Sequence, residues 1–235
     1  MTPHVLYSSF MILALLVFLI VRQVQPRPAA LAVLPWWQRV ALGLAAFVGG
    51  ALGAKLPFAL TSGAGWLSPS AWLTDGKTIT TGLAGAYLLV ELTKLTLGVT
   101  VKTGDTFALP LALALAVGRW GCFFNGCCYG TATALPWGVD FGDGVHRHPT
   151  QIYESLFHFG MALVLLEVIR RDGLRYQRLK LYLIAYGIYR FFSEYIRPEP
   201  ADYLGLTFYQ WVAILLVAVL SVQWIMDARL KSEAE

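Results

Sequence analysis

Seven apolar stretches, each close to the ~20 residues a helix needs to cross a bilayer, constrain this chain more than any other feature. They run over roughly 6–21, 37–60, 79–99, 107–128, 151–169, 181–196 and 208–226. Inside a bilayer no water satisfies exposed backbone groups, so each stretch is expected to be helical. Hydrophobic residues make up 57% of the chain and charged residues 14%, whereas soluble domains are about 25% charged. The expected fold is therefore all-α: one polytopic integral membrane domain over residues 1–235 with about seven transmembrane helices. The first stretch has no typical positive flank and no clear small-residue cleavage site, which marks it as a retained span rather than a signal peptide.

The pI near 9 does not point to nucleic acid, because the basic residues cluster at span ends. Arg22, Arg27 and Arg39 flank the first loop, Lys102 lies in the third, and Arg170, Arg171, Arg175, Arg178 and Lys180 fill the fifth. Arg229 and Lys231 follow the last span. All fall on one side, which the positive-inside rule makes cytoplasmic. The opposite loops carry only Lys77, Arg147 and Arg197. The N-terminus is expected outside and the C-terminus in the cytoplasm.

Ionisable residues interrupt this apolar background at one depth. Arg119 nears the outer end of the fourth span, His148 and Glu154 open the fifth, and Arg190, Glu194 and Arg197 close the sixth. An unpaired charge in a bilayer costs at least ~3 kcal/mol, so such residues are kept for pairing or for function. Arg190, Glu194 and Arg197, at spacings of four and three, are expected to stack on one helical face; Gln151 and Glu154 share another. Gly49-x-x-x-Gly53 in the second span, with Gly82 and Gly85 in the third, would allow close helix contact.

Each motif has a plain reading beside a functional one. Arg119 either snorkels or pairs for packing, or its planar fork grips a lipid phosphate. Glu194 either neutralises Arg190 and Arg197, or sits between two guanidiniums that share a substrate. Pro149, Thr150 and Gln151 suit an ordinary helix start, but Glu154 lies a turn inside the apolar segment, and His148 brings an imidazole to its mouth. Cys122, Cys127 and Cys128 are either small buried apolar residues or, in an oxidising outer compartment, disulfide partners. No metal is assigned: His146 and His148 would complete a ligand set, but Cys-x4-Cys-Cys is not a usual zinc spacing. No Walker loop, dinucleotide fingerprint or serine-hydrolase elbow is present.

Taken together, three ordered motifs between Thr78 and Asp202 resemble the prolipoprotein diacylglyceryl transferases of bacterial inner membranes. Gly118-Arg119-Trp120-Gly121-Cys122-Phe123-Phe124-Asn125-Gly126-Cys127-Cys128-Tyr129-Gly130 follows the signature G-R-I-G-N-F-x-N-G-E-x-x-G with substitutions. His148 through Glu154 matches H-P-[ST]-Q-x-Y-E in full, and Arg190, Glu194 and Arg197 match R-x-x-x-E-x-x-R, with Pro198 and Glu199 shifted against the usual tail. Cys122 stands where the family usually has Asn, Cys127 where it has Glu, and Thr80 where it often has His.

The resemblance implies transfer of a diacylglyceryl group from phosphatidylglycerol to the lipobox cysteine of a prolipoprotein signal peptide, with release of glycerol phosphate. The site would face the outer leaflet and membrane lipids. The resemblance implies no metal or organic cofactor and no nucleic acid. Arg119 and Arg190 would hold the phosphate, and Glu194 or His148 would take the thiol proton. Glu154, Arg197, Gln151, Tyr153, Asn125 and Gly130 would position substrate. Two other classes stay open: a divergent non-enzymatic lipid-binding paralogue, and a thiol-redox membrane protein that uses the three cysteines.

Overall fold

The computed structural model describes residues 2–25, 33–61, 68, 72, 78–201 and 204–232. Arg27 and Lys77 lie outside these residues, as do the side chains of Arg229 and Lys231. The described residues form seven α-helices: α1 (Pro3–Val24), α2 (Trp36–Thr61), α3 (Ile79–Thr96), α4 (Asp105–Phe124), α5 (Thr150–Arg170), α6 (Arg178–Ser193) and α7 (Phe208–Ser232). A short antiparallel pair, β1 (Val139–Asp140) and β2 (His146–Arg147), lies between α4 and α5, and a 3-10 turn (Glu194–Ile196) follows α6.

Every expected stretch is helical, and five of the seven helices are long and apolar enough to cross a membrane. The shorter two, α3 with 18 residues and α6 with 16, are not among them. In α6 the reason is burial. It packs against α3, α4, α5 and α7 and buries Lys180, Tyr182, Tyr186 and Arg190. A helix enclosed by protein turns its polar groups to partners rather than to lipid, so it need not be apolar. At the other extreme, α1 has a mean hydropathy of 2.4 and buries no residue. Ile12, Leu15, Leu19 and Ile20 stand exposed along it, as they would against lipid.

The most extensive helix pairs, α1 with α4, α2 with α3, α4 with α5 and α6 with α7, run antiparallel. Phe10 of α1 stacks on Phe124 of α4, while Arg22 lies over the Phe107 ring at 4.4 Å. On α5, Ser155 donates to the Ala116 carbonyl of α4 at 2.7 Å. At one end of the bundle Asp227 of α7 binds both Lys102 and Lys180, and Asp105 accepts the Tyr176 and Arg178 backbone N–H groups. The basic loops thus gather at one end, and Arg119, Glu154, Arg190 and Arg197 at the other. The core between α4, α5, α6 and α7 is built from Ala108, Ala112, Leu165, Tyr182, Leu183 and Leu220.

Contact between α2 and α3 is backbone against backbone, as the glycine spacing predicts. A Cβ on Gly53 would lie 2.4 Å from the Thr81 carbonyl oxygen and 3.1 Å from the Gly85 Cα. Neither is a flexible side-chain end, so only a shift of the helices relieves the clash. Gly53→Leu is expected to cost about 1–3 kcal/mol by overpacking, read as a lower melting temperature in detergent. Gly43→Leu, in open space on the same helix, should leave the melt unchanged. Equal melts for the two variants would refute the close-packing account.

Two ends that shape the site differ from expectation. The fourth stretch does not continue to Cys128: α4 stops at Phe124 with Asn125 as its C-cap, and Gly126 (φ 65°) and Cys128 (φ 63°) turn the chain through left-handed conformations. Nor does the sixth stretch carry Arg190, Glu194 and Arg197 on one continuous helical face. After Ser193 it tightens into the 3-10 turn, and Arg197 is extended (φ −106°, ψ 152°). This change of path sends its side chain elsewhere.

Candidate active site

The hub of the site is Glu154, fully buried in the second turn of α5. Arg119 Nη2 from the last turns of α4 donates to its Oε2. Arg197 Nη2 donates to the same oxygen at 3.2 Å, and Tyr186 Oη donates to Oε1 at 2.7 Å. The carboxylate held between two guanidiniums is therefore Glu154, not Glu194. Behind it lies buried His158, one turn further along α5. Its Nδ1 is 2.8 Å from the Tyr182 hydroxyl, while its Nε2 is 3.8 Å from Glu154 Oε1, too far for a hydrogen bond.

A second pair stands beside the first. Arg190 Nη2 lies 2.5 Å from Glu194 Oε2, and Arg190 Nε donates to Thr80 Oγ1 at 3.1 Å. Thr207 Oγ1 donates to Glu194 Oε1 at 3.3 Å. Thr207 is in turn fixed by Gln210, whose Oε1 accepts the Thr207 N–H at 2.9 Å. These buried charges are tolerable because each meets an opposite charge and further hydrogen bonds.

Between the pairs lies a small, partly open pocket. Arg119, Arg190 and Arg197 line it with Glu154, Glu199, Thr80, Tyr186, Tyr209 and Cys128. All three arginines keep one buried N–H that no group among the described residues accepts: Nε of Arg119, Nη1 of Arg190 and Nε of Arg197. Three unspent guanidinium donors around one small pocket suit an anion with several oxygens.

Other expected site residues do different things. Gln151 Nε2 donates to the Cys127 carbonyl and Thr150 Oγ1 to the Cys128 carbonyl, both at 2.7 Å. Tyr153 accepts the Trp137 indole N–H at 2.8 Å and lies 3.3 Å from His148 Nδ1. Asn125 caps α4 through its backbone. Gly130 lets the loop press against the chain after α6: a Cβ there would lie 2.4 Å from the Ile196 carbonyl oxygen. Neither His148 nor Glu194 lines the pocket. The sequence motifs do not single out Tyr186, His158 or Tyr209, and they include Glu199 only as part of the shifted tail. The four-residue step from Glu154 to His158 was the available signal for one of them, and the tyrosines of the short, polar sixth stretch for another.

The three cysteines converge as well. Their Sγ atoms all lie within 4.8 Å of one another, they form no disulfide, and Arg119 Nη1 is 3.8 Å from Cys122 Sγ. The sequence spacing had argued against a ligand set, but it could not show that two left-handed residues fold the turn back on the helix end. His146 and His148 are not in this group.

The family model described as prolipoprotein diacylglyceryl transferase matches residues 3–226. A phosphatidylglycerol–prolipoprotein diacylglyceryl transferase of Clostridioides difficile is 39% identical over 118 residues, 50% of this chain and 46% of that protein. One from Finegoldia magna is 42% identical over 118 residues, 50% and 47% of the two chains. A second enzyme of that name from Streptomyces coelicolor is 40% identical over 124 residues, 48% and 39%. The chain thus spans about half the length, or less, of the curated relatives it matches. With the family model covering nearly all its residues, the chain belongs to the prolipoprotein diacylglyceryl transferase family.

Proposed function

We propose that this chain transfers a diacylglyceryl group from phosphatidylglycerol to the lipobox cysteine thiol of a prolipoprotein signal peptide. The single observation that carries the reading is the pocket whose three arginines each keep an unaccepted buried N–H. A phosphodiester headgroup would take those donors. Its charge grows as glycerol phosphate departs, so donors already fixed in place by Glu154, Glu194 and Thr80 favour the transition state over the bound lipid. The pocket is small, so it takes the headgroup while the acyl chains lie along the apolar outer faces of the bundle.

The expected bases, Glu194 and His148, stand outside the pocket lining. Of the carboxylates that do line it, Glu154 is committed to three donors and Glu199 is exposed at the rim. The direct test is to mix purified chain with phosphatidylglycerol and a lipobox peptide, then follow the peptide mass. A diacylglyceryl adduct supports the reading; no adduct, with phospholipid still bound, supports the lipid-binding paralogue instead.

The same reading places the chain in the bacterial inner membrane with seven spans, the N-terminus outside, the C-terminus cytoplasmic and the site toward the outer leaflet. Its support is that the basic loops and the arginine pocket occupy opposite ends of the bundle. A membrane-impermeant label should reach a cysteine placed at Asp143 in whole cells, in a background with Cys122, Cys127 and Cys128 changed to serine. A cysteine placed at Asp172 should react only after lysis. The reverse pattern would invert the topology.

A further inference from the structure

We propose that Cys122, Cys127 and Cys128 hold one zinc ion through their thiolates, with its fourth position open to the acceptor's cysteine thiol. This rests on the transferase reading and supplies what the pocket lacks, a means of making the thiolate.

Geometry points to the ion. Zinc–thiolate bonds of about 2.3 Å in a tetrahedron place the sulfurs ~3.8 Å apart. The three Sγ atoms already lie within 4.8 Å of one another, so small rotations close the site. The backbone is set for this. Gly126 and Cys128 adopt positive φ, a strained conformation for Cys128. Thr150 and Gln151 clamp the carbonyls of Cys128 and Cys127 from α5. The start of α5 thus fixes the cysteine turn through Thr150 and Gln151 and, one turn further on, the arginine pair through Glu154. A packing role does not account for the cluster, because Cys128 is exposed and the other two are only partly buried.

Ligand number and charge fit as well. Three protein ligands and one open position are the form of a catalytic zinc site, and thiolates favour zinc over hard cations. Three thiolates and Zn²⁺ carry one net negative charge, and the Arg119 guanidinium 3.8 Å from Cys122 Sγ offsets it. Cys128 lines the phosphate pocket itself, so a thiol bound at the fourth position sits beside the lipid headgroup.

The step balances. The acceptor thiol binds zinc and releases its proton to water, since a coordinated thiol is deprotonated. The bound sulfur then attacks the diacylglyceryl carbon. A carbon–sulfur bond forms, the carbon–oxygen bond to phosphate breaks, and its electron pair leaves on glycerol phosphate among Arg119, Arg190 and Arg197. The neutral thioether is a poor ligand and dissociates. No electron is gained or lost overall.

The full chain, purified in detergent under reducing conditions, would be given zinc alone and dialysed. Elemental analysis and native mass spectrometry should find one zinc per chain, absent from the triple Cys→Ser variant and bound at least ~10-fold more weakly by each single one. Zinc X-ray absorption should change from three sulfurs to four on adding a lipobox peptide, and not with its Cys→Ser counterpart. Zinc retained by the triple variant, no bound zinc, or a disulfide that persists under these conditions would overturn the site. Transfer that proceeds equally with zinc removed would overturn the thiol step while leaving the transferase reading intact. Zinc bound and peptide sulfur coordinated, but no transfer in any state, would support the site and overturn the transferase reading.

Discussion

Glu154→Ala is expected to lower the stability of the bundle by about 3–5 kcal/mol, the range for breaking a buried ion pair by removing one partner. The carboxylate is fully buried and accepts from Arg119, Arg197 and Tyr186. Its removal strands two largely buried guanidiniums without a counter-charge. The effect should spread, because Glu154 joins α4, α5, α6 and the chain after α6. Glu154→Gln separates charge from shape. Its amide oxygen can still accept from Tyr186 and one arginine, but it supplies no counter-charge. The melting temperature in detergent should therefore fall in the order wild type, Gln, Ala. A Gln variant that melts with the wild type would show that hydrogen bonding, not charge, holds the arginines. By contrast, Glu167→Ala at the far end of α5 should barely move the melt. Its partners Arg170 and Arg171 are exposed, and exposed pairs contribute ~0–1 kcal/mol.

The helices were legible because length and apolarity are properties of a segment, and a bilayer makes them decisive. The glycine contact was legible for a similar reason: a small-x-x-x-small spacing places two gaps on one face whatever the surroundings. Charged residues at one depth could be read from span direction alone, which is why Arg119, Glu154, Arg190 and Arg197 meet as expected. Who pairs with whom could not be read. Spacing put Arg197 on the Arg190–Glu194 face, but helical spacing ends where the helix does. One 3-10 turn redirects Arg197 to Glu154. His148 illustrates a different limit. Its neighbours in sequence form the site, but it precedes the helix and its ring faces Tyr153. Thr80 reaches Arg190 from the start of α3, a contact between distant spans that spacing along one helix does not record. The cysteine cluster depends on two backbone angles, which residue spacing does not record.

Arg119→Ala is expected to reduce lipid transfer by roughly 10²–10³-fold, the loss typical of removing one donor aimed at developing charge. Its structural cost should be smaller than that of Glu154→Ala, since Glu154 keeps Arg197 and Tyr186. Activity should thus fall further than stability can explain, and comparing the transfer rate with the melting temperature of each variant checks this. Arg119→Lys is the sharper case. Lysine keeps the charge but presents one compact ammonium. It cannot pair with Glu154 while offering a second donor in a fixed direction to a phosphate. In the structure Arg119 does both: Nη2 is spent on Glu154, and Nε remains unaccepted. The lysine variant should therefore melt close to wild type yet transfer lipid nearly as poorly as the alanine variant. Normal transfer by Arg119→Lys would mean that only charge is needed, and the phosphate would then be held by Arg190 and Arg197. Normal transfer by Arg119→Ala would remove Arg119 from the chemistry and leave it as the counter-charge that keeps Glu154 buried.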